Sequence, residues 1–289
     1  MNAAPHPAPV PTPPGQAPGA AVLTRLVALR RPVVMGILNV TPDSFSDGGA
    51  FLAPQAAIAH AEQMIADGAD IIDIGAESSR PYGGPEAVST EEELRRLTTV
   101  LPVVARMGRP VSIDTMKAVV AAWALDQGAA IVNDVWGLQR DPDMAVVVAR
   151  YGAPVIVMHN RQTADPAIDI LDDIDAFFER SLAIAGRSGI RRDAIVLDPG
   201  IGFGKTTEQS MTAIAGLDRL KKFGLPLLVG ASRKRFINAV TPAPPDRRLG
   251  GSLAAHMLAA QHGATFIRTH DVAETVQALR IMAAIGNRS

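Results

Sequence analysis

The chain has 289 residues, of which 47% are hydrophobic and 20% charged, and this composition predicts a globular protein with one extensive core. A formal net charge of −1, and the lack of any apolar run of roughly 20 residues, argue against nucleic acid or a membrane as a partner. The absence of cysteine excludes disulfides and thiolate chemistry and suits a reducing compartment, so we expect a cytoplasmic protein.

The first 20 residues differ from the rest of the chain. Residues 1–20 are rich in proline and alanine and have neither the basic start nor the apolar centre of a signal peptide. This composition predicts a disordered tail with polyproline II character. Residues 21–289 are therefore expected to form the fold, as a single domain.

The remainder of the chain repeats one unit. A helical segment ends at a glycine, and a short apolar strand follows and stops at a polar residue. Glycine suits the end of a helix because it adopts the left-handed conformation without steric cost. With MGILN as the first strand, the unit predicts eight strands, the other seven following Gly68, Gly108, Gly128, Gly152, Gly189, Gly224 and Gly263.

Apolar strands that alternate with helices indicate a parallel sheet covered by helices. Eight such units in about 260 residues predict an α/β protein with a (β/α)8 TIM barrel. An open doubly wound sheet is the alternative, but its glycine-rich fingerprint after the first strand is absent. We interpret the segment AVLTRLVALR, before the first strand, as a short strand across the bottom of the barrel.

Polar residues stand where the predicted strands end, and in a barrel these ends converge on one mouth. Asp114, Asn133 and Asp198 offer carboxylates and an amide, which suit a heterocycle with an amidine or guanidine edge. The alternative for each is a structural role as the cap of the following helix. Asp114 in particular precedes TMKAVV and could be an N-cap.

A second group of strand ends carries cations. Arg233, Lys234, Arg268 and His270 suit an anionic group such as a phosphate or a carboxylate. Ser232 precedes a predicted helix whose first N–H groups are free to bind an anion. The alternative is that SRKRF forms the solvated first turn of that helix.

The run GIGFGKT at 200–206 looks like a phosphate-binding loop but lacks the glycine that the Walker pattern requires, because that position is Pro199. We interpret it as a glycine turn that brings the backbone close to a ligand, with Phe203 beside a flat ring. The sequence has no HExxH motif and no cysteine pair, so a zinc site is not expected. Mg²⁺ needs only one or two protein oxygens when a phosphate supplies others, and Asn39 is placed for that.

Seven segments in order resemble the dihydropteroate synthase family: GILNVTPDSFSDGG, GAESSRP, SIDT, VND, LDPGIGFGK, VGASRKRFI and IRTHDV. The resemblance spans residues 30–285. It implies an enzyme of folate biosynthesis that joins 4-aminobenzoate to 6-hydroxymethyl-7,8-dihydropterin diphosphate, releases diphosphate and uses Mg²⁺. It also implies small molecules as partners, a homodimer, and a target of sulfonamides.

The resemblance assigns roles to residues of this sequence. It implies that Asn39 is a metal ligand, that Ser232 contacts the carboxylate of 4-aminobenzoate, and that the loops after the first two strands close over the site. Catalytic roles are implied for Asn39, Lys234, Arg268 and His270, the last two at the diphosphate. Substrate binding is implied for Ser79, Arg80, Asp114, Asn133, Met158, Asp198, Phe203, Gly230, Ser232, Lys234, Arg268 and His270.

The second loop departs from the family pattern, since Ser79 replaces a threonine and Tyr82 replaces a glycine in SSRPY. Two rival functions remain at this stage. A pterin-dependent methyltransferase would share the barrel and the carboxylate and amide set, but would not need the cations. A catalytically silent pterin-binding paralogue should have lost Asn39, Lys234 or the Arg268 and His270 pair, and all of these are present.

Overall fold

The computed structural model describes residues 19–40, 52–77 and 88–286. The predicted disorder of the tail therefore lies outside the described residues, except for its last two positions, which begin a helix. The predicted roles of Ser79 and Arg80, and the predicted closure of the loops after the first two strands, also lie outside them.

Eight parallel strands form one sheet in the order β6-β5-β4-β3-β2-β1-β8-β7. The ends of this order meet as well, because Leu197 and Leu227 form a parallel bridge and the Leu197 N–H donates to the Pro226 carbonyl at 2.9 Å. The predicted (β/α)8 barrel is thus confirmed. Its strands are β1 Val33–Asn39, β2 Ile71–Gly75, β3 Val111–Asp114, β4 Ile131–Asp134, β5 Val155–Met158, β6 Ile195–Asp198, β7 Leu228–Val229 and β8 Phe266–Thr269.

Helices follow the strands and cover the outside of the sheet. Ser89 caps the start of one of them, since its Oγ accepts the Glu92 N–H at 3.2 Å, and Gly152 ends another in the left-handed conformation with φ 59°. Of the helices in the described ranges, none is long and apolar enough to cross a membrane. They are α1 Gly19–Val27, α2 Leu52–Ala66, α3 Thr90–Leu97, α4 Leu101–Val104, α5 Ala118–Asp126, α6 Met144–Tyr151, α7 Ile170–Arg187, α8 Thr207–Ala215, α9 Arg235–Val240, α10 Leu249–Gln261 and α11 Val272–Gly286, with 3-10 turns at Arg192–Ala194, Leu217–Phe223 and Pro245–Arg247.

The segment before β1 corrects one prediction. It forms helix α1 and not the expected short strand. Val22, Leu23 and Leu26 are buried together against the apolar residues at the bottom of the barrel. The spacing of one and four residues places these side chains on one face of a helix, whereas a strand would turn Val22 and Leu23 to opposite sides. An amphipathic helix therefore closes the barrel bottom.

The inner face of the barrel changes in character along the strands. At the bottom it is apolar and includes Ile71, Ile131, Val196 and Phe266, which pack with α1. Side chains of a strand alternate between faces, so the residue two positions further on points to the same side. Those residues are mostly polar, and they form one layer near the mouth: Asp73, Asn133, Met158, Asp198, Gly230 and Arg268.

Candidate active site

A cavity opens at the carboxyl ends of the strands. Eight of its ten lining residues were predicted from the sequence, and Val135 and Ile201 are the two that were not. These two could have been inferred from their position in the sequence, because each lies within three residues of a predicted site residue. The full lining is Asp114, Asn133, Val135, Met158, Asp198, Ile201, Phe203, Gly230, Lys234 and Arg268.

Three hydrogen-bond acceptors of the cavity belong to adjacent or nearby strands and are all buried: Asp114, Asn133 and Asp198. Asp198 is fixed by the Gly200 N–H, which donates to its Oδ1 at 2.7 Å. Asn133 donates from Nδ2 to Asp73, and its Oδ1 has no hydrogen-bond partner among the described residues. The cavity is therefore rich in acceptors, which suits a ligand edge that presents N–H donors.

The alternative role of Asp114 as a helix cap is wrong. Helix α5 begins four residues later, its N-cap is Lys117, and the first N–H, that of Ala118, donates to Asp141 Oδ2 at 2.8 Å. The Asp114 carboxylate instead accepts from Arg268, whose NH2 group lies 2.8 Å from Oδ2. The Asp114 side chain therefore belongs to the site and does not cap the helix.

Arg268 bridges two carboxylates across the top of the barrel. Besides Asp114 it bonds Asp73, with 2.6 Å between Nε and Oδ2. The sequence places Asp73 at the end of the second strand, but neither the strand pattern nor the family resemblance assigns it a role in the site. A carboxylate between two isoleucines of a buried strand is nevertheless a signal, because a buried charge requires a partner. Asp73 is fully buried, and its Oδ1 makes no hydrogen bond with any described residue.

Burial sets the charges in the cavity. It raises the pKa of Asp198 to about 6, against the opposing effect of the Gly200 N–H. Burial also raises the pKa of Asp114, with Arg268 opposing this and Asp73 adding to it. For Lys234, burial and then repulsion from Arg268 lower the pKa to about 8. These directions follow from the cost of a charge in a poorly solvated site.

Lys234 and Phe203 form one wall of the cavity. The Lys234 ammonium lies 3.9 Å from the centroid of the Phe203 ring, which is a cation–π contact. Lys234 is also the N-cap of α9 but makes no side-chain capping bond there. Its charge is thus directed to the cavity, which the alternative of a solvated helix turn does not explain.

Ser232 and His270 lie side by side next to the cavity but do not line it. The His270 backbone N–H donates to Ser232 Oγ at 3.2 Å, and this oxygen lies 2.9 Å from His270 Nδ1. Burial, followed by repulsion from Arg268, lowers the pKa of His270 to about 3. This favours a neutral imidazole near pH 7, and a neutral imidazole offers an anion a hydrogen-bond donor and no full charge.

Three other polar residues at or just after the strand ends have structural roles. Arg233 turns away and pairs with Asp271, while its N–H donates to Ser252 Oγ at 2.9 Å. Asp134 accepts the N–H groups of the turn after β4, at 2.9 Å and 2.6 Å. His159 points to the back of the site, where its Nε2 lies 2.9 Å from Asp173 Oδ2.

The glycine turn after β6 is held from behind by Lys205. This side chain is 4% exposed and donates to the carbonyls of Gly200 at 2.9 Å and Phe203 at 3.1 Å. Its third contact is His159 Nδ1 at 2.6 Å. A Cβ on Gly200, where φ is 66°, would lie 2.0 Å from the His159 carbonyl oxygen. Lys205 therefore supports the turn that carries Phe203, in agreement with the rejection of a phosphate loop.

Asn39 is the candidate for a metal ligand. It ends β1 as the one exposed residue of that strand, on the same face as the inward Val33 and Met35. Within the described part of the chain, no group of three or more His, Cys, Asp or Glu side chains could hold a metal ion. A single amide oxygen at the mouth suits a cation such as Mg²⁺ that takes its other ligands from water and phosphate.

Comparison with known proteins identifies the family. Residues 35–270 match the sequence model described as pterin binding enzyme. The dihydropteroate synthase of Clostridium beijerinckii is 43% identical over 260 residues, which cover 89% of this chain and 96% of that protein. The chain belongs to the dihydropteroate synthase family.

Solved structures of dihydropteroate synthases share the fold. That of Xanthomonas albilineans with 4-aminobenzoic acid has a TM-score of 0.85 at 44% identity and covers 89% of this chain and 94% of its own. That of Yersinia pestis, a sulfonamide drug complex, has a TM-score of 0.83 at 41% identity and covers 90% and 96%. The family and the fold inferred from the sequence are confirmed.

Proposed function

We propose that this chain is a dihydropteroate synthase. It condenses 6-hydroxymethyl-7,8-dihydropterin diphosphate with 4-aminobenzoate to give 7,8-dihydropteroate and diphosphate. The observation that carries the proposal is the composition of one cavity, in which buried acceptors, a ring-sized apolar wall and two cations converge at the mouth of a barrel. Each of these three features corresponds to one part of the pterin diphosphate.

The pterin ring system takes the inner part of the cavity. Asp114, Asn133 and Asp198 accept from its N–H groups, and buried acceptors of this kind discriminate strongly because an unmatched partner leaves them unpaired. Met158 and Phe203 pack on the faces of the flat ring. The apolar side chains also exclude water, which strengthens the hydrogen bonds they surround.

The reaction breaks the bond between the pterin methylene carbon and the diphosphate oxygen. The bonding electrons leave with diphosphate, and the electron-rich dihydropterin stabilises the cation that remains. The amine of 4-aminobenzoate then attacks this carbon and loses a proton to water. An arylamine is already neutral at pH 7, so no strong general base is required.

Charge on the departing diphosphate is stabilised by Arg268 and by the neutral His270 as a donor. Mg²⁺ is proposed as the cofactor, with Asn39 as its protein ligand, because the exposed amide oxygen at the end of β1 suits a hard cation that a diphosphate also binds. When bound, the ion supplies neutralisation of the diphosphate charge. To stabilise the charge of the diphosphate, the Arg268 guanidinium must first break its hydrogen bond with Asp114.

The second substrate is assigned to the outer part of the mouth. The Ser232 hydroxyl, beside His270, is the proposed contact of the 4-aminobenzoate carboxylate. Ser79 and Arg80 are proposed to complete this site from the loop after β2. A sulfonamide resembles 4-aminobenzoate, so we expect it to compete there. A homodimer is proposed as the assembly and is tested by sedimentation equilibrium.

The test is diphosphate release measured with each substrate alone and with both. We expect release that requires both substrates and Mg²⁺, and 7,8-dihydropteroate in equal amount. A methyltransferase would instead consume a methyltetrahydrofolate and release no diphosphate. A silent paralogue would bind a pterin in calorimetric titration and catalyse neither reaction, and either result would overturn the proposal.

A further inference from the structure

Asp73 is the one polar residue of the inner layer that does not line the cavity, yet it contacts two residues that do. Its Oδ2 accepts from Arg268 Nε at 2.6 Å and from Asn133 Nδ2 at 3.1 Å. Its side chain is fully buried. A buried carboxylate is costly, and here it is arranged so that one oxygen serves both the amide and the cation of the site.

The contact between Asp73 and Asn133 determines which atom of the Asn133 amide is free to bind a ligand. An amide has one donor end and one acceptor end. Because Nδ2 donates to Asp73, the Asn133 oxygen is the end that is left without a partner among the described residues. Asp73 thereby makes Asn133 an acceptor, in agreement with Asp114 and Asp198, and a ligand edge of N–H donors meets three acceptors.

The contact with Arg268 has a second consequence. Arg268 spans two carboxylates, with Nε on Asp73 and the NH2 group on Asp114 at 2.8 Å. A pterin that donates to Asp114 competes with this NH2 group. Asp73 has a second oxygen, Oδ1, that is buried and has no hydrogen-bond partner among the described residues. A guanidinium and a carboxylate form two parallel bonds when both oxygens are used.

We propose that Asp73 is a positioning residue for pterin recognition, which fixes Asn133 as an acceptor and receives the Arg268 guanidinium when the ligand takes Asp114. Arg268 turns its NH2 group from Asp114 to Asp73 Oδ1, and no buried donor is left unpaired in either arrangement. The charge of Arg268 stays at the mouth of the site throughout. The inference rests on the proposed function in that the ligand is a pterin.

The test compares Asp73→Asn with a matched control, Asp175→Asn. Asp175 is also a buried carboxylate with an unpartnered Oδ1, and it accepts from Arg219 Nε at 2.6 Å and pairs with Lys222 at 2.6 Å, on helix α7 away from the site. The probe is 6-hydroxymethylpterin, titrated calorimetrically. We expect the Kd of D73N to rise at least about tenfold, and that of D175N to stay within about twofold.

A pH profile separates positioning from loss of structure. The groups facing Asp114 are Arg268 on β8, Asp73 on β2, Glu93 on α3 and Lys234 before α9. Asp114 accepts from the pterin as a carboxylate, so affinity falls as the pH drops through its pKa. Asp73 raises that pKa, so D73N should shift this acidic limb to lower pH by about one unit.

Asp198, whose pKa burial also raises, gives a second limb that D73N should leave in place. Asp73→Glu, which keeps the charge, should leave both limbs in place. An unchanged Kd for D73N overturns the proposal, as does a weaker Kd with an unmoved limb, because Asp73 would then not act through Asp114. An equal loss in D175N also overturns it, since the effect would be one of general stability.

A measurement on the unmodified protein covers the case in which D73N does not fold. The Arg268 Nε–H signal, identified in ¹⁵N-arginine spectra with Arg268→Lys, should persist with slow exchange when 6-hydroxymethylpterin is added. Its loss on addition would mean that Asp73 releases Arg268, which overturns the proposal. Pterin binding needs no catalysis, so a failure of the proposed condensation is seen separately in the diphosphate assay.

Discussion

Lys205→Met is the substitution with the most definite structural consequence. The methionine side chain has a similar length but no donor, so two acceptors lose their partner: His159 Nδ1 at 2.6 Å and the Phe203 carbonyl at 3.1 Å. The Gly200 carbonyl loses the bond from Lys205 at 2.9 Å but keeps the Phe203 N–H at 3.0 Å. Each buried acceptor left unpaired costs about 1–3 kcal/mol. Relief from burying an amine, whose pKa burial lowers to about 7, offsets a part of this.

The net loss in the free energy of unfolding is therefore about 2–4 kcal/mol. Urea unfolding followed by circular dichroism measures it, and a chain of this size should show a midpoint lower by about 1 M. The matched control is Lys221→Met, because Lys221 is 54% exposed and forms a surface ion pair with Asp218. That variant should lie within about 0.5 kcal/mol of the original protein.

Activity provides the second half of this test. Lys205 holds the carbonyl of Phe203, whose ring lines the proposed pterin cavity, and its hydrogen bonds go to His159, Gly200 and Phe203 and not to Ser232. We expect K205M to raise the KM for the pterin diphosphate by about tenfold and to leave the KM for 4-aminobenzoate within about twofold. An unchanged urea midpoint, or equal changes in both KM values, would refute the role of Lys205 as the support of the turn.

The remaining predictions concern the acceptors, the two substrate sites and one buried histidine. Asp114→Ala and Asn133→Ala should each weaken pterin binding by about 1–3 kcal/mol in calorimetric titration, and unchanged affinity in both folded variants would contradict the site. Arg268→Ala should act mainly on kinetics with the pterin diphosphate and Ser232→Ala mainly on those with 4-aminobenzoate; an effect of both on the same substrate would reject that division. His256 is buried without a partner for either nitrogen in the described chain, and burial lowers its pKa to about 4 from 6.5, so the unfolded chain binds the proton first and stability falls as the pH drops from 6.5 towards 4. His256→Leu should raise the unfolding free energy by about 1 kcal/mol at pH 7 and flatten this slope, and a less stable variant would be evidence for an unseen partner.

The barrel was predictable because its signal is local and repeated. Many helix ends use a residue that tolerates a left-handed backbone, and Gly152 and Gly224 adopt it with φ 59° and 63°. Each strand of a parallel barrel is covered on both sides, so it reads as an apolar run. The first helix was not predictable in the same way, since a short apolar segment such as AVLTRLVALR fits a helix or a strand equally well.

The cavity residues at the ends of strands could be predicted from the sequence, whereas the direction of side chains within the strands could not. Asp114, Asn133 and Asp198 are each the last or next-to-last residue of a strand, so their position alone brings them to the mouth. The direction of a side chain within a strand is harder to infer, because an apolar strand gives no alternation from which to read its inner face. Asn133 and Asp134 look equivalent in the sequence, yet one enters the cavity and the other caps a turn.

Asp73 shows why pairing across the barrel lies beyond a reading of strand ends. Its partner Arg268 is 195 residues away in the chain. The two side chains meet because β2 and β8 lie on either side of β1 in the closed sheet. The sequence indicates that Asp73 needs a partner, since a carboxylate in a buried strand requires a hydrogen-bond donor. It does not indicate which of several cations provides that donor. Arg233 follows β7 and Arg268 lies near the end of β8, so the two look alike in this respect. Arg268 lies on the inner face and bonds Asp73, while Arg233 pairs with Asp271 outside the cavity. The closed sheet therefore determines which arginine enters the cavity, because the side chain on its inner face is the one that reaches Asp73.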